Sequence, residues 1–153
     1  MGFSGGFRRV REIMKILLAS DGSKCAMRAA KYLVTHLGMF GVKPEVFLIY
    51  VQPPVPGRAA SVVPRARLER YYRGESRKAM GTAQRILKAR GISYEPVHLV
   101  GDPARSIAAY AERRGFSMIV MGSHGQGVLS SLVLGSVVRK VLASCSVPVL
   151  IVR

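Results

Sequence analysis

From residue 15 to the C-terminus, apolar runs of strand length alternate with stretches of helical period. Lys15–Ser20, Glu45–Val51, Ser93–Val100, Ser117–Met121 and Val147–Val152 are short, largely apolar and closed by turn residues, as strands covered on both faces are. Between them, helices are expected over Lys24–Leu37, Arg65–Arg90, Pro103–Arg114 and Leu132–Ala143. Strict alternation leaves few topologies, because parallel neighbours need right-handed crossovers and the helices must cover both faces. The expected fold is a five-stranded parallel α/β sheet sandwiched by helices, of Rossmann-like type, with strand order 3-2-1-4-5.

Local chemistry agrees with these bounds. Ser23 and Asp102 precede helical patterns as N-caps, and Pro103 suits a first helical position. Gly38 and Gly41 should end the first helix, with Ala26, Ala29, Ala30, Leu33, Val34 and Leu37 on its inner face. Pro53, Pro54 and Pro56 stop the second strand and open an irregular connection through Pro64, readable as a flap or as a solvated linker. The helix after it should bury Leu68, Tyr71, Tyr72, Ala79, Ala83, Ile86 and Leu87.

An open sheet of this order binds ligands where the winding reverses, outside the carboxyl ends of strands one and four. Asp21 follows the first of these strands and Gly122 the fourth. The fourth strand empties into Gly122-Ser123-His124-Gly125-Gln126-Gly127, and Gly135-Ser136 precedes the last helical pattern, with Val137 behind it. Residues without a Cβ permit positive φ and close approach of backbone N–H groups, and a helix N-terminus favours anions. The glycines thus suit a phosphate cradle, or simply a tight strand-to-helix turn. The Gly-x-x-x-x-Gly-Lys-Ser/Thr loop is absent, and Gly125-Gln126-Gly127 lacks the third glycine of the dinucleotide fingerprint.

Composition narrows the partners more than the fold. The 153 residues suit one domain over 14–153, after a glycine-rich basic tail over 1–13; translation could begin at Met1 or Met14. No apolar stretch approaches the roughly 20 residues that cross a bilayer, so a cytoplasmic protein is expected. Cys25 and Cys145 read as reduced packing thiols, and His36, His98 and His124 have no metal-ligand spacing. Lys and Arg number 24 against 8 Asp and Glu, a formal charge of +16, with many of the basic residues on 65–90. That run is either a solvated face or a surface for an anionic partner.

The spacing Gly122-x-x-Gly125-x9-Gly135-Ser136 after a strand ending Met-Gly-Ser-His-Gly resembles the nucleotide-binding motif of the universal stress protein family. The resemblance runs from Met14 to Arg153 through ILLASDGS, GDPARSI, MGSHG and PVLIVR. It implies a single-domain protein of the ATP-binding type, with an adenine nucleotide alpha-hydrolase-like fold and a homodimer paired through 147–152. It also implies ATP, or ADP or AMP, as ligand, with Mg²⁺ reached through water and phosphate and Asp21 near it. Ala19 and Val51 would line the adenine. Met121, Gly122, Ser123, His124 and Gly125 would face ribose and phosphates, and Gly135, Ser136 and Val137 would hold the phosphate chain. The sequence departs from the family pattern at Ser117, Val138 and Arg139, where Asp, a hydroxyl and an acid are common.

No catalytic constellation is visible, since Ser123 and Ser136 show no activating partner and His124 no neighbouring carboxylate. At most slow ATP hydrolysis is expected. The leading expectation is a nucleotide-dependent sensor in the stress response. The alternative is a basic interaction module binding nucleic acid or anionic membrane through 65–90, with a vestigial nucleotide site.

Overall fold

The structure, a computed structural model, describes residues 13–126 and 133–153. The expected tail before Ile13, the loop residue Gly127 and a helix start at Leu132 lie outside the described residues. In chain order the elements are β1 Lys15–Ala19, α1 Lys24–His36, β2 Glu45–Gln52, α2 Gly57–Ala60, α3 Arg65–Ala89, β3 Tyr94–Val100, α4 Pro103–Arg113, β4 Met118–Gly122, α5 Ser136–Ser144 and β5 Val149–Val152. The five strands pair in parallel, as the alternation predicts, and in the expected order β3-β2-β1-β4-β5.

The period of two along each strand divides the core into two layers. On one face Leu17, Ile49 and Ile119 meet Ile107 and Ala111 of α4 and Val138 and Val141 of α5. On the other, Ile16, Leu18, Leu48 and Val120 meet Ala29, Ala30 and Leu33 of α1 and Met80, Ala83 and Leu87 of α3. Burying each Leu or Ile contributes about 1.5–3 kcal/mol relative to exposure. Central β1 has Leu17 opposite both Phe47 and Ile119, so its C-terminal end and that of β4 come out side by side.

Both expected caps form. Ser23 Oγ accepts from the Ala26 amide at 3.1 Å, and Asp102 Oδ1 from the Arg105 amide at 2.9 Å. Four expectations need correction. The first helix gives way at Leu37 to one 3₁₀ turn, Leu37–Phe40, which Gly41 closes with φ 66°. The stretch after the prolines is not wholly irregular, because Pro56 (φ −51°) leads directly into the single turn of α2. Tyr71 does not join the buried stripe of α3 but is 47% exposed, since it lies about 120° around the helix from Ala83. Ser76 and Met80 complete that stripe, while Leu68, Tyr72 and Ile86 are half-buried. Finally, α5 starts at Ser136, because Gly135 is extended (φ −60°, ψ 156°) and cannot belong to the helix before it.

One polar group in the α3-facing layer carries a prediction. His98 of β3 lies parallel to Tyr50 at 5.9 Å between centroids, and its Nε2 is buried without a hydrogen-bond partner. Desolvation holds its pKa below the ordinary histidine value of 6.5. Below that value the unfolded chain takes up a proton that the folded chain refuses, so stability falls as pH drops from 6.5 toward the lowered folded pKa. In His98→Phe, this part of the acid-side loss should disappear from thermal melts recorded between pH 7 and pH 5; an unchanged slope would refute it.

Candidate functional site

The carboxyl ends of β1, β2 and β4 open into a cavity of about 450 Å³. Its floor toward α4 and α5 is apolar, formed by Ala19, Ile49, Val51, Met121, Ile107 and Val138. These belong to the layer beneath α4 and α5, where the strands' odd-numbered side chains point. Toward α3 the wall is polar and carries Asp21, Glu75 and Lys78 together with Tyr50. A flat apolar group fits the first region, and hydroxyl or charged groups the second.

Between the two lies the first turn of α5. Gly135, Ser136, Val137 and Val138 all line the cavity, and among the described residues no side chain caps the helix at Gly135. The opening amides of a nine-residue helix therefore face the space with unspent donors and the positive end of the dipole.

The loop that faces this turn is fixed by hydrogen bonds. The Gly135 amide donates to Ser123 O at 2.9 Å, and the Ser123 amide to Val152 O at 2.8 Å. Ser123 Oγ lies 2.9 Å from His124 Nδ1, and His124 Nε2 is bonded to Val133 O. With Nε2 protonated, Nδ1 accepts from the serine hydroxyl, and the imidazole straps the strand end to the approach of α5. A serine–histidine contact thus exists that spacing did not reveal, but it is structural: Ser123 is 1% exposed and does not line the cavity. This corrects the expectation that Ser123 faces the ligand space.

A second set of bonds joins the loops after β1 and β4. Asp21 Oδ1 accepts from the Ser23 amide at 2.9 Å and Oδ2 from the Gln126 amide at 3.1 Å. Gln126 Nε2 returns a bond to Asp21 O at 2.8 Å. Behind them Ser20 Oγ donates to Ala79 O at 2.7 Å, bolting α3 to the end of β1. Lys78 Nζ pairs with Glu75 Oε1 at 2.9 Å, and that hydrogen bond raises the lysine pKa above its ordinary value. Burial, and after it the charges of Glu75, Tyr71 and Asp21, raise the Tyr50 pKa, so the phenol stays a neutral donor.

The described glycines of the cradle are needed for space and not for positive φ, contrary to one of the two reasons the sequence offered. Gly122, Gly125 and Gly135 all lie outside the left-handed region. A Cβ would come within 2.5 Å of the Cys25 carbonyl carbon at Gly122, 2.8 Å of Asp21 Oδ2 at Gly125, and 3.3 Å of Ser123 O at Gly135. The positive φ is at Gly22 (80°), where the chain turns beneath α3 with Ala79 Cα 3.2 Å from a notional Cβ.

Of the residues singled out in the sequence, Ala19, Asp21, Val51, Met121, Gly122, His124, Gly125, Gly135, Ser136 and Val137 line this cavity. Sequence reasoning missed Tyr50, Glu75, Lys78, Ile107 and Gln126. Only Gln126 had a signal, its place between two glycines. Glu75 and Lys78 read as ordinary surface charges until the packing of α3 brings them to the cavity mouth. Among the described residues, no cluster of three or more His, Cys, Asp or Glu side chains could hold a metal ion. Nor is any described helix long and apolar enough to cross a membrane.

Comparison with known proteins places this geometry in context. The model of the universal stress protein family matches residues 12–153. Universal stress protein YxiE of Bacillus subtilis is 30% identical over 147 residues, covering 91% of this chain and 98% of that one. The solved structure of MJ0577, a universal stress protein of Methanocaldococcus jannaschii, aligns with TM-score 0.71 at 29% identity, over 91% of this chain and 94% of that one. A universal stress protein from Archaeoglobus fulgidus in complex with dAMP has the same fold, with TM-score 0.64 and 20% identity, over 92% and 98% of the two chains.

Proposed function

Because the chain belongs to the universal stress protein family, we propose that it binds an adenine nucleotide, ATP in the first place, in the cavity above β1 and β4 and serves as a cytoplasmic sensor in a stress response. The observation that carries this reading is the first turn of α5, Gly135–Val138, which lines the same cavity as the apolar floor. Adenine would lie over Ala19, Val51 and Met121. The phosphates would reach the amides of Ser136 and Val137 and the Ser136 hydroxyl. Asp21 and Gly125 would border the ribose and the inner phosphates, with His124 holding the loop. The dAMP bound to the A. fulgidus protein supports the class of ligand.

Magnesium fits this site only as a companion of the phosphates. Mg²⁺ keeps several waters and is often held by one or two carboxylates plus phosphate oxygens. Asp21 could serve such an ion, though both of its oxygens already accept backbone N–H bonds. No residue is assigned to hydrolysis. We also propose a homodimer through β5, an edge strand that among the described residues pairs only with β4 and whose Val149–Val152 side chains are half-buried in the single chain.

Calorimetric titration of nucleotide-stripped protein with Mg-ATP, at low and high salt, tests the proposal, and light scattering on the same sample gives its mass. One nucleotide per chain, with an affinity that survives high salt, and a mass of two chains are expected. A titration without heat, or with heat that vanishes as salt rises, would remove the nucleotide reading.

A further inference from the structure

The outer side of α3 is the most strongly charged surface described, and none of its six basic residues lines the cavity above β1 and β4. At 100° per residue, an arc of about 120° on this helix holds Arg67, Arg70, Arg73, Arg77, Arg85 and Lys88. The rest of the arc is small or neutral: Ala66, Gly74, Gly81 and Gln84. All six basic residues are exposed, and the arc contains neither an acid nor a large apolar side chain. Among the described residues the ion pairs of α3 are Arg65 with Glu69 and Lys78 with Glu75, and all four partners lie off the arc. The six charges are therefore not neutralised by the described part of the molecule. A Cβ on Gly74 or Gly81 would meet nothing within 4 Å, although glycine within a helix costs about 1 kcal/mol relative to alanine. Packing does not explain them; they leave the middle of the ridge low, so that a flat partner can approach its arginines.

From this arrangement we propose that α3 is a docking surface for the phosphate backbone of double-stranded DNA. The charge is complementary, and arginine predominates, whose planar guanidinium takes phosphate oxygens two at a time. Arg67 and Lys88 stand roughly 32 Å apart along the axis, close to the 34–36 Å of one duplex turn. A membrane is the poorer fit. A helix that lies in a bilayer interface inserts an apolar face, and the apolar face of α3, with Met80, Ala83 and Leu87, is already packed on the sheet. Single strands are bound on stacking aromatic platforms, and the arc has no aromatic residue. Recognition is of backbone and not of sequence, since charge and axial spacing match phosphates, which carry no base information.

The test is fluorescence anisotropy of a mixed-sequence DNA duplex of about two turns, titrated with the full chain at several salt concentrations. Six phosphate contacts predict a slope of about −5 in log K against log salt. The triple variant Arg70→Gln, Arg77→Gln, Lys88→Gln should bind at least tenfold more weakly near 100 mM salt, with a slope shallower by about 2 to 3. A second variant, Arg67→Gln with Arg73→Gln, should flatten it by about 2. A control with equal charge loss, Arg28→Gln, Lys31→Gln, Arg113→Gln, should keep its affinity within about threefold. The proposal is overturned if the control falls as far as the ridge variants, if the ridge variants bind like the wild type, or if the wild type binds no duplex. It is equally overturned if an RNA duplex or phosphatidylserine vesicles bind α3 as tightly as DNA does.

Discussion

Gly125→Val should reduce Mg-ATP affinity by about a hundredfold or more while leaving the far-UV circular dichroism unchanged. Position 125 is exposed and outside the left-handed region, so a β-branched residue is compatible with its backbone. The effect falls on the site. Any Cβ there lies 2.8 Å from Asp21 Oδ2, so the carboxylate must turn away from the Gln126 amide that it holds at 3.1 Å. The valine methyls then stand in the cavity opposite the first turn of α5. Losing two hydrogen bonds to a charged phosphate at about 1.5–3 kcal/mol each gives a hundredfold or more, since 1.4 kcal/mol is tenfold. Calorimetry on wild type and variant decides it, and an affinity retained within a factor of a few would remove the phosphate role of this loop.

Gly122→Ala should act on the fold itself. Its Cβ would lie 2.5 Å from the Cys25 carbonyl carbon and 2.7 Å from both Cys25 O and Cβ. Two of these atoms belong to the α1 backbone, so no rotamer relieves the clash; α1 or β4 must shift. β4 is an interior strand paired on both sides, and α1 packs on it through Ala29, Ala30 and Leu33. Overpacking of this kind costs about 1–3 kcal/mol or somewhat more. For a chain of this size that is a melting temperature lower by roughly 2–12 °C. Differential scanning calorimetry is the measurement, and a melt indistinguishable from wild type would mean that the helix yields freely at this contact.

Much of this architecture was legible because it rests on period and punctuation. The strands β1 and β2, the caps at Ser23 and Asp102, and the parallel pairing all follow from residues that act locally or by alternation. What stayed hidden depends on meetings between distant segments. Nothing in the sequence pairs Gln126 with Asp21, or Ser20 with Ala79, because each bond forms only after β1 and β4 have been laid side by side. The same holds for Glu75 and Lys78, whose helical spacing fits any solvated face. Tyr71 was misplaced because an aromatic next to a true core position is apolar enough to imitate one, and only the rotation of α3 on the sheet separates the two. The glycine spacing marks places where protein atoms crowd the backbone, at Gly122 and Gly125 above all, whereas positive φ applies at Gly22 and not at Gly122, Gly125 or Gly135.

The buried bond from Ser20 Oγ to Ala79 O joins the end of β1, at the cavity, to a 25-residue rod whose far side carries the arginine ridge. A rigid rod held at its middle cannot tilt at one face and stay still at the other. A ligand that pressed Lys78 and Glu75 outward would therefore carry Arg77 and its neighbours with them. Thermodynamic linkage makes such an influence mutual: the factor by which an occupied cavity changes affinity at the ridge is the factor by which an occupied ridge changes affinity in the cavity.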